Sequence, residues 1–481
     1  MNNDKRQVKN LRWNNLAFMA FAMVWGFANM AQNFALQGMP VVFSWVLILA
    51  LYFLPYALMV GELGSVFQQD EGGVASWIKR TSTKRLAFFA GWTYWVVHIP
   101  YLAQRPQAII IAWGWIARQD ATLTENANPL LLQLICLLIF LIFLWLASKG
   151  IKILKTIGTI AGTATFVMSL LFIILIFAAP LLPAEPFKAN LSLQSFIPRF
   201  DFAYLTTLSM LIFGVGGAEK ISPYVKNTIN PAKEFPKGMI ALTVMIASCA
   251  ILGSIAMGLM FQANPPDDLL VNGQYYAFLR LGEHYHLGKF FLVIYAIANL
   301  LAQISALVFS IDAPLRMLLA DADDEFVPKF LRKTNSKGTF VRGYFMTALL
   351  ASIIIIIPAF GIGNMEMMFA WLLNLNTVTM PIRYLWVFLA YIWLKRKQER
   401  FPSDYRSFKS KKWGSLAGIW CFGLTLFACI LGMVPKGIEK GHSGWGLQLA
   451  LNILTPLMLL GLGLILPLLA KKTKGKQILK R

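Results

Sequence analysis

The chain has 481 residues, of which 57% are apolar and 14% charged, whereas an ordinary soluble protein is about 45–50% apolar and about 25% charged. That balance excludes a soluble enzyme of several domains and points to a polytopic membrane protein. The formal charge of +22 invites a nucleic-acid reading, but the cations gather on one side of the apolar runs described next, where they signal topology and attract anionic lipid.

A bilayer core about 30 Å thick takes roughly 20 mostly apolar residues per helix. Twelve such runs follow one another, at 13–37, 41–66, 86–117, 129–147, 156–179, 201–225, 238–262, 287–315, 343–361, 365–394, 413–435 and 444–470. With residues 1–12 in the cytoplasm, most of the 44 Lys and Arg fall on inner segments, as the positive-inside rule requires. The basic tail 471–481 then also lies inside. The expected location is a bacterial inner membrane, because the loops are short and nothing resembles an organelle-targeting segment. Cys136, Cys249, Cys421 and Cys429 lie within apolar runs without metal-ligand spacing, so they read as core residues and no cofactor is expected.

Two runs contain what a plain anchor avoids. The first carries Gly26 and Asn29 in mid-span (WGFANMA, 25–31), and the sixth carries Gly214, Gly216, Gly217 and Glu219 (FGVGGAE, 213–219). Backbone groups freed by glycine are tolerated at membrane depth only where they line a cavity or bind something. The breaks lie five spans apart, so each opens a block of five helices, 13–179 and 201–394, with spans 11 and 12 (413–470) beyond them. Five is odd, so the blocks run in opposite directions, which is the pattern of an inverted-repeat transporter. Gly216 and Gly217 also suit plain close packing, but two breaks in register, one beside an ionisable group, outweigh that reading.

The sixth span and its exit, FGVGGAEKISPYVKNTINPAKEFPKGM (213–239), resembles the sixth-helix signature of the amino acid–polyamine–organocation superfamily. FLPYALMVGELGSVFQQDEGGVASWIK (53–79), AFFAGWTYWV (87–96) and DADDEFVPKFLRKTNSKGT (321–339) resemble its second helix with the loop helix, the start of its third helix, and the loop after its eighth. FANMAQNFALQGMP and GELGSVF are most similar to the glutamate/γ-aminobutyrate antiporter family. The resemblance covers the whole chain. It implies an all-α membrane protein of the LeuT type, with twelve helices, a five-plus-five inverted repeat and broken helices 1 and 6.

A zwitterionic substrate needs a partner for a carboxylate and one for an ammonium group. Half-helix N-termini offer free N–H groups and the opposite ends offer carbonyls. The carboxylate is therefore expected near Ala28, Asn29, Met30 and Ala31 and near Gly216, Gly217 and Ala218. The ammonium is expected at the carbonyls of Gly26, Phe213 and Gly214, with Phe27 and Val215 completing the two segments. For Glu219 the resemblance implies coupling of protonation to gating; the alternative is an ion pair with Lys220, Arg105 or Arg383. Arg105 and Arg383 either bind a substrate carboxylate or are neutralised by Asp312 and Glu219, and the sequence favours neither. Asn374 is pathway lining or interhelical glue. Glu62 is expected to pair with loop cations. The fifth helix has Lys152 and Lys155 only at its cytoplasmic entry, whereas proton-coupled symporters of the superfamily place a lysine within it.

The expected function is secondary active transport of an amino acid or amine by alternating access, with exchange as the leading mode and proton-coupled import as its rival. No nucleic-acid partner is expected, and self-association is left open. An enzyme is disfavoured because His98, His284, His286 and His442 form no HExxH or triad pattern, and a channel because no filter-like motif occurs.

Overall fold

The computed structural model describes residues 11–69, 73–125, 128–149, 153–181, 192–262, 265–320, 322–335, 338–360, 365–436, 441 and 444–478. Most of the expected N-terminal segment, the last three residues of the tail and His442 lie outside these, as does Lys152, and the side chain of Lys155 is not described.

The described chain is helical. Its one extended pairing is an isolated bridge between Leu11 and Thr228. In order, the helices are α1 (Trp13–Val24), α2 (Phe27–Gln37), α3 (Val41–Val66), α4 (Gly73–Thr81), α5 (Lys84–Val96), α6 (His98–Ala117), α7 (Pro129–Ser148) and α8 (Ile153–Ala178). They continue with α9 (Phe202–Val215), a 3-10 helix (Ala218–Asn227), α10 (Pro231–Phe261), α11 (Leu269–His284), α12 (Phe290–Leu319) and α13 (Val341–Ile356). The last are α14 (Met365–Arg396), α15 (Lys411–Gly432), α16 (Trp445–Gly461) and α17 (Ile465–Ile478).

Local chemistry sets several starts. Asn128 Oδ1 accepts from the N–H groups of Leu130 and Leu131 at 3.0 and 3.2 Å, and Pro129 fills the first helical position of α7. Asp201 caps α9 through Tyr204 N at 2.8 Å, and Thr83 caps α5 through Leu86 N at 3.3 Å.

Nine helices among the described residues are long and apolar enough to cross a membrane. Three expected spans take other forms. The run 13–37 is two shorter helices, the run 86–117 is α5 and α6 joined at Val97, and the run 343–361 holds the 16-residue α13. The packing supports a lipid environment. Aromatics such as Trp45, Tyr52, Trp77 and Tyr295 fill the interior, while Leu131, Leu138 and Trp145 on α7 and Trp413, Leu416 and Ile419 on α15 face outward. Large apolar faces turned outward around a polar centre suit lipid and not water.

Candidate functional site

The first break is narrow. Trp25 and Gly26 adopt extended backbone between α1 and α2, so Phe27 to Ala31 form the opening turns of α2. The second break is Gly216, extended, and Gly217, at φ 117°. Only glycine adopts that φ readily. At Gly216 a Cβ would collide with the ring and hydroxyl of Tyr384, so glycine here permits the break to approach α14.

Asn29 joins the two breaks. Its Nδ2 donates to Gly214 O at 3.1 Å and to Val24 O at 3.4 Å, satisfying carbonyls at the ends of both α9 and α1. The Gly214 carbonyl, expected to face a substrate ammonium, is therefore already engaged.

A cavity of about 1530 Å³ runs along both breaks. Gly26, Phe27, Ala28, Asn29, Phe213 and Gly216 line it. Met30, Ala31, Gly214, Val215, Gly217 and Ala218, expected in the same site, are absent from its walls. Met30, for instance, packs against Gly253 of α10. One end of the cavity is bounded by Val271, Gln274 and Tyr275 of α11; the other reaches Leu11, Arg316 and Ala320, where α1 begins and α12 ends.

Arg383, Lys220 and Arg105 meet these walls in different states, and Glu219 lies behind them. Glu219 is fully buried, with its Oε1 3.2 Å from Arg383 Nε. The hydroxyl of Tyr94 donates to Oε1 at 3.2 Å, and that of Tyr56 donates to Oε2. Arg383 is further held by His98. The His98 Nδ1 donates to Tyr94 O at 2.6 Å, which leaves Nε2 to accept from Arg383 Nη1 at 2.6 Å. Arg383 also donates to Tyr384 Oη at 3.2 Å and lies 5.0 Å from the ring centres of Tyr94 and Tyr384.

Lys220, the next residue after Glu219, donates its Nζ to Met23 O at 3.2 Å. It thus sits at the carbonyl end of α1, where a helix dipole favours a cation.

Arg105 differs from both. Its partners are the amide oxygens of Gln303 at 2.6 Å and Gln104 at 2.7 Å, and the Tyr101 ring centre at 4.1 Å. Its Nε, like that of Arg383, is buried without a hydrogen bond. Asp312, the acid expected to neutralise it, instead accepts from Arg316 at 2.6 Å and from Tyr344 at 2.9 Å. Among the described residues, Arg105 therefore faces the cavity as a guanidinium without an acid.

Two further clusters flank the site. Glu62, buried at the end of α3, accepts from Lys395 (2.7 Å), Arg406 (3.2 Å), Ser407 N (3.0 Å), Ser407 Oγ (2.6 Å) and Tyr391 (3.1 Å). It thereby pairs with cations, as expected. Asn374 is not on the cavity wall. Its Oδ1 accepts at 2.6 Å from Lys436, whose Nζ also meets Ser209 Oγ at 3.0 Å. Lys436 lies beyond the end of α15, and burial pushes its amine down to about 7.

Sequence reasoning missed Tyr56, Tyr384 and Lys436 and left His98 without a role. The signal available was a polar group at helical spacing within an apolar run, such as Tyr94 and His98 four residues apart.

A bundle of apolar helices around a polar cavity with two helix breaks defines a membrane transporter. The chain belongs to the amino acid permease family, whose model matches residues 11–459, and so to the amino acid–polyamine–organocation superfamily; it is a transporter and not an enzyme. It is 55% identical over 475 residues to the aspartate/glutamate permease AcaP of Lactococcus lactis subsp. cremoris, covering 97% of each chain. It is 24% identical to the inner membrane transporter YjeM of Escherichia coli, over 90% of this chain and 91% of the other. The glutamate/gamma-aminobutyrate antiporter of Lactococcus lactis subsp. lactis is 26% identical, over 84% of this chain and 80% of its own.

Proposed function

We propose that the protein carries acidic amino acids across a bacterial inner membrane by alternating access, and that Arg105 receives the side-chain carboxylate. The observation that carries this is the contrast between two arginines on the cavity wall, Arg383 buried and Arg105 half-buried. Arg383 Nε lies 3.2 Å from a Glu219 carboxylate oxygen, whereas the partners of Arg105 are two amide oxygens and the Tyr101 ring. A half-buried guanidinium with no acid beside it among the described residues favours a ligand that supplies one, and a guanidinium can hold a carboxylate through two oxygens. The printed name of the 55% identical relative, an aspartate/glutamate permease, supports the same substrate class.

The α-carboxylate then meets the first-turn N–H groups of α2 at Phe27 and Ala28, and the ammonium the second lone pairs of the Gly26 and Phe213 carbonyls, which each accept one backbone N–H, from Asn29 at 2.9 Å and Gly216 at 3.4 Å. Glu219 with Arg383 couples protonation to movement of the second break. In this reading the chain crosses the membrane twelve times. Residues 13–179 and 201–394 form a LeuT-type inverted repeat, 413–470 pack outside it, and both termini are cytoplasmic. Breaks opening both five-helix blocks support that arrangement, as do the outward-facing apolar residues of α15. The cavity end at Leu11 and Ala320 is then cytoplasmic, and the structure is inward-facing.

Exchange is the mode favoured by the resemblance and by the fifth helix. Proton-coupled uptake is the second reading, favoured by Lys220, a half-buried amine on the cavity wall that donates to a carbonyl at the end of α1. Uptake of labelled aspartate and glutamate into proteoliposomes separates them. Exchange requires an unlabelled amino acid inside; proton coupling gives uptake into empty vesicles under an inward proton gradient. Absence of acidic amino acid uptake under every loading and gradient overturns the proposal.

A further inference from the structure

We infer that Arg105, Gln303, Asn299 and Tyr275 form a directional hydrogen-bonded line through which recognition of an acidic side chain favours docking of the outer helix α11; this rests on the assignment of Arg105 to the substrate side chain.

The line begins at the guanidinium. Arg105 Nη1 donates to Gln303 Oε1 at 2.6 Å, Gln303 Nε2 to Asn299 Oδ1 at 2.9 Å, and Asn299 Nδ2 to Tyr275 Oη at 2.7 Å. Its direction follows from chemistry. A guanidinium only donates, so Gln303 must turn its oxygen towards Arg105 and its NH2 away. That NH2 obliges Asn299 to do the same, and the last donor arrives at the Tyr275 hydroxyl as acceptor. Gln303 and Asn299 stand four residues apart on α12 and so share a face.

Both ends are anchored. Tyr275 stacks on Trp115 with ring centres 5.1 Å apart and planes at 11°. Trp115 Nε1 donates to Asn272 Oδ1 at 2.8 Å, and Asn272 Nδ2 to Asp268 Oδ2 at 2.6 Å. At the other end Arg105 Nη2 donates to Gln104 Oε1 at 2.7 Å, which also accepts from Asn376 of α14 at 2.9 Å. Arg105 and Trp115 both belong to α6, so the contacts close a ring from α6 through α12 to α11 and back.

The consequence is mutual. With α11 docked, the two glutamines clamp Arg105 on the cavity wall, where it meets the substrate. With α11 lifted, Asn299 loses its acceptor and Gln303 is free to turn, so the guanidinium loses one side of its clamp. Whatever factor docking adds to acidic-substrate affinity, the acidic substrate adds to docking. An amide analogue such as glutamine gains little from Arg105 and promotes docking little. Selectivity is thereby exercised during closure as well as on first contact. A second contact between α11 and α12, Tyr295 to Gln274 at 2.7 Å, keeps the helix seated when the line is cut, so removing one hydroxyl tests coupling and not folding.

The test uses the full chain in proteoliposomes, with Tyr275→Phe, Asn299→Leu and Arg105→Gln as variants. Two quantities are read: the ratio of half-saturating concentrations for glutamate and glutamine, and hydrogen exchange of residues 269–284 with and without each ligand. In the wild type, glutamate slows exchange in α11 and glutamine does not. Tyr275→Phe, which keeps the stacked ring, is expected to reduce the glutamate preference about tenfold and to abolish the ligand-dependent protection, and Asn299→Leu to do the same. Wild-type preference and protection in both variants, together with loss of preference in Arg105→Gln, overturns the line and leaves the substrate assignment standing. Wild-type preference in Arg105→Gln overturns the assignment and the line with it.

Discussion

Removing the charge of Glu219 strips the compensation from Arg383, which is 1% exposed. With Nε and Oε1 separated by 3.2 Å, the pair interacts by about 5 kcal/mol at an effective dielectric of about 20. Glutamine preserves the shape and can keep its one oxygen beside Arg383 and Tyr94, its NH2 then facing the Tyr56 hydroxyl, which must turn to accept, and Arg383 keeps its contacts with His98 and Tyr384. The net cost of Glu219→Gln is therefore expected at about 3 kcal/mol, the lower end for breaking a buried ion pair. Arg383→Met alone leaves the carboxylate buried and is expected to cost a similar amount. The double variant has neither charge and should regain about 2 kcal/mol relative to the sum of the single changes. Denaturant titration in mixed micelles gives the four free energies of the cycle. Additivity within about 0.5 kcal/mol would show that the two groups do not depend on each other, and would refute the assignment of Glu219 as the counter-charge of Arg383.

Three further expectations follow from the same geometry. Gly216→Ala drives a methyl group into Tyr384 and should abolish uptake, while Gly216→Ala/Tyr384→Ala restores part of it; no rescue would show that the second break is not limited by that approach. Glu62→Gln leaves Lys395 buried beside a neutral group and should destabilise by about 3 kcal/mol, against at most about 1 kcal/mol for Asp312→Asn in its more exposed pair with Arg316. Equal losses in the mixed-micelle titration would contradict that ranking. For Lys436 the folded value of about 7 lies below the ordinary 10.5, so the folded protein binds fewer protons between them. Stability should fall as pH drops from 10.5 to 7 and level off below; Lys436→Met should remove that slope, and an unchanged slope would assign it to other groups.

Long apolar runs made the helices legible, because hydrophobic length depends on no partner. Both breaks were legible too, to within two or three residues, since glycine in an apolar run has few other uses. The limits of the breaks were not. Gly214 stays in α9 because Asn29 of the other break satisfies its carbonyl, and that pairing spans a distance the sequence does not encode locally. The two arginines looked alike in sequence for the same reason. What separates them is His98, Tyr384 and Glu219 around one and amides around the other, brought together from different helices. The pairing of Asp312 with Arg316 was a local signal, four residues apart on one helix, and it removes Asp312 from the charge balance of Arg105. Glu62 was readable as a partner for loop cations, but its contacts with Arg406 and Ser407 span more than 340 positions and required the fold.

The central claim, that the unpaired Arg105 selects an acidic substrate, is tested most directly by uptake of labelled glutamate and aspartate into proteoliposomes bearing wild type or Arg105→Gln, with glutamine and asparagine as competitors. Wild type should take up both acids and resist competition by the amides, and Arg105→Gln should lose acidic uptake at least tenfold, as expected for one charge-assisted contact. Undiminished uptake and undiminished preference for the acids in Arg105→Gln would contradict the account.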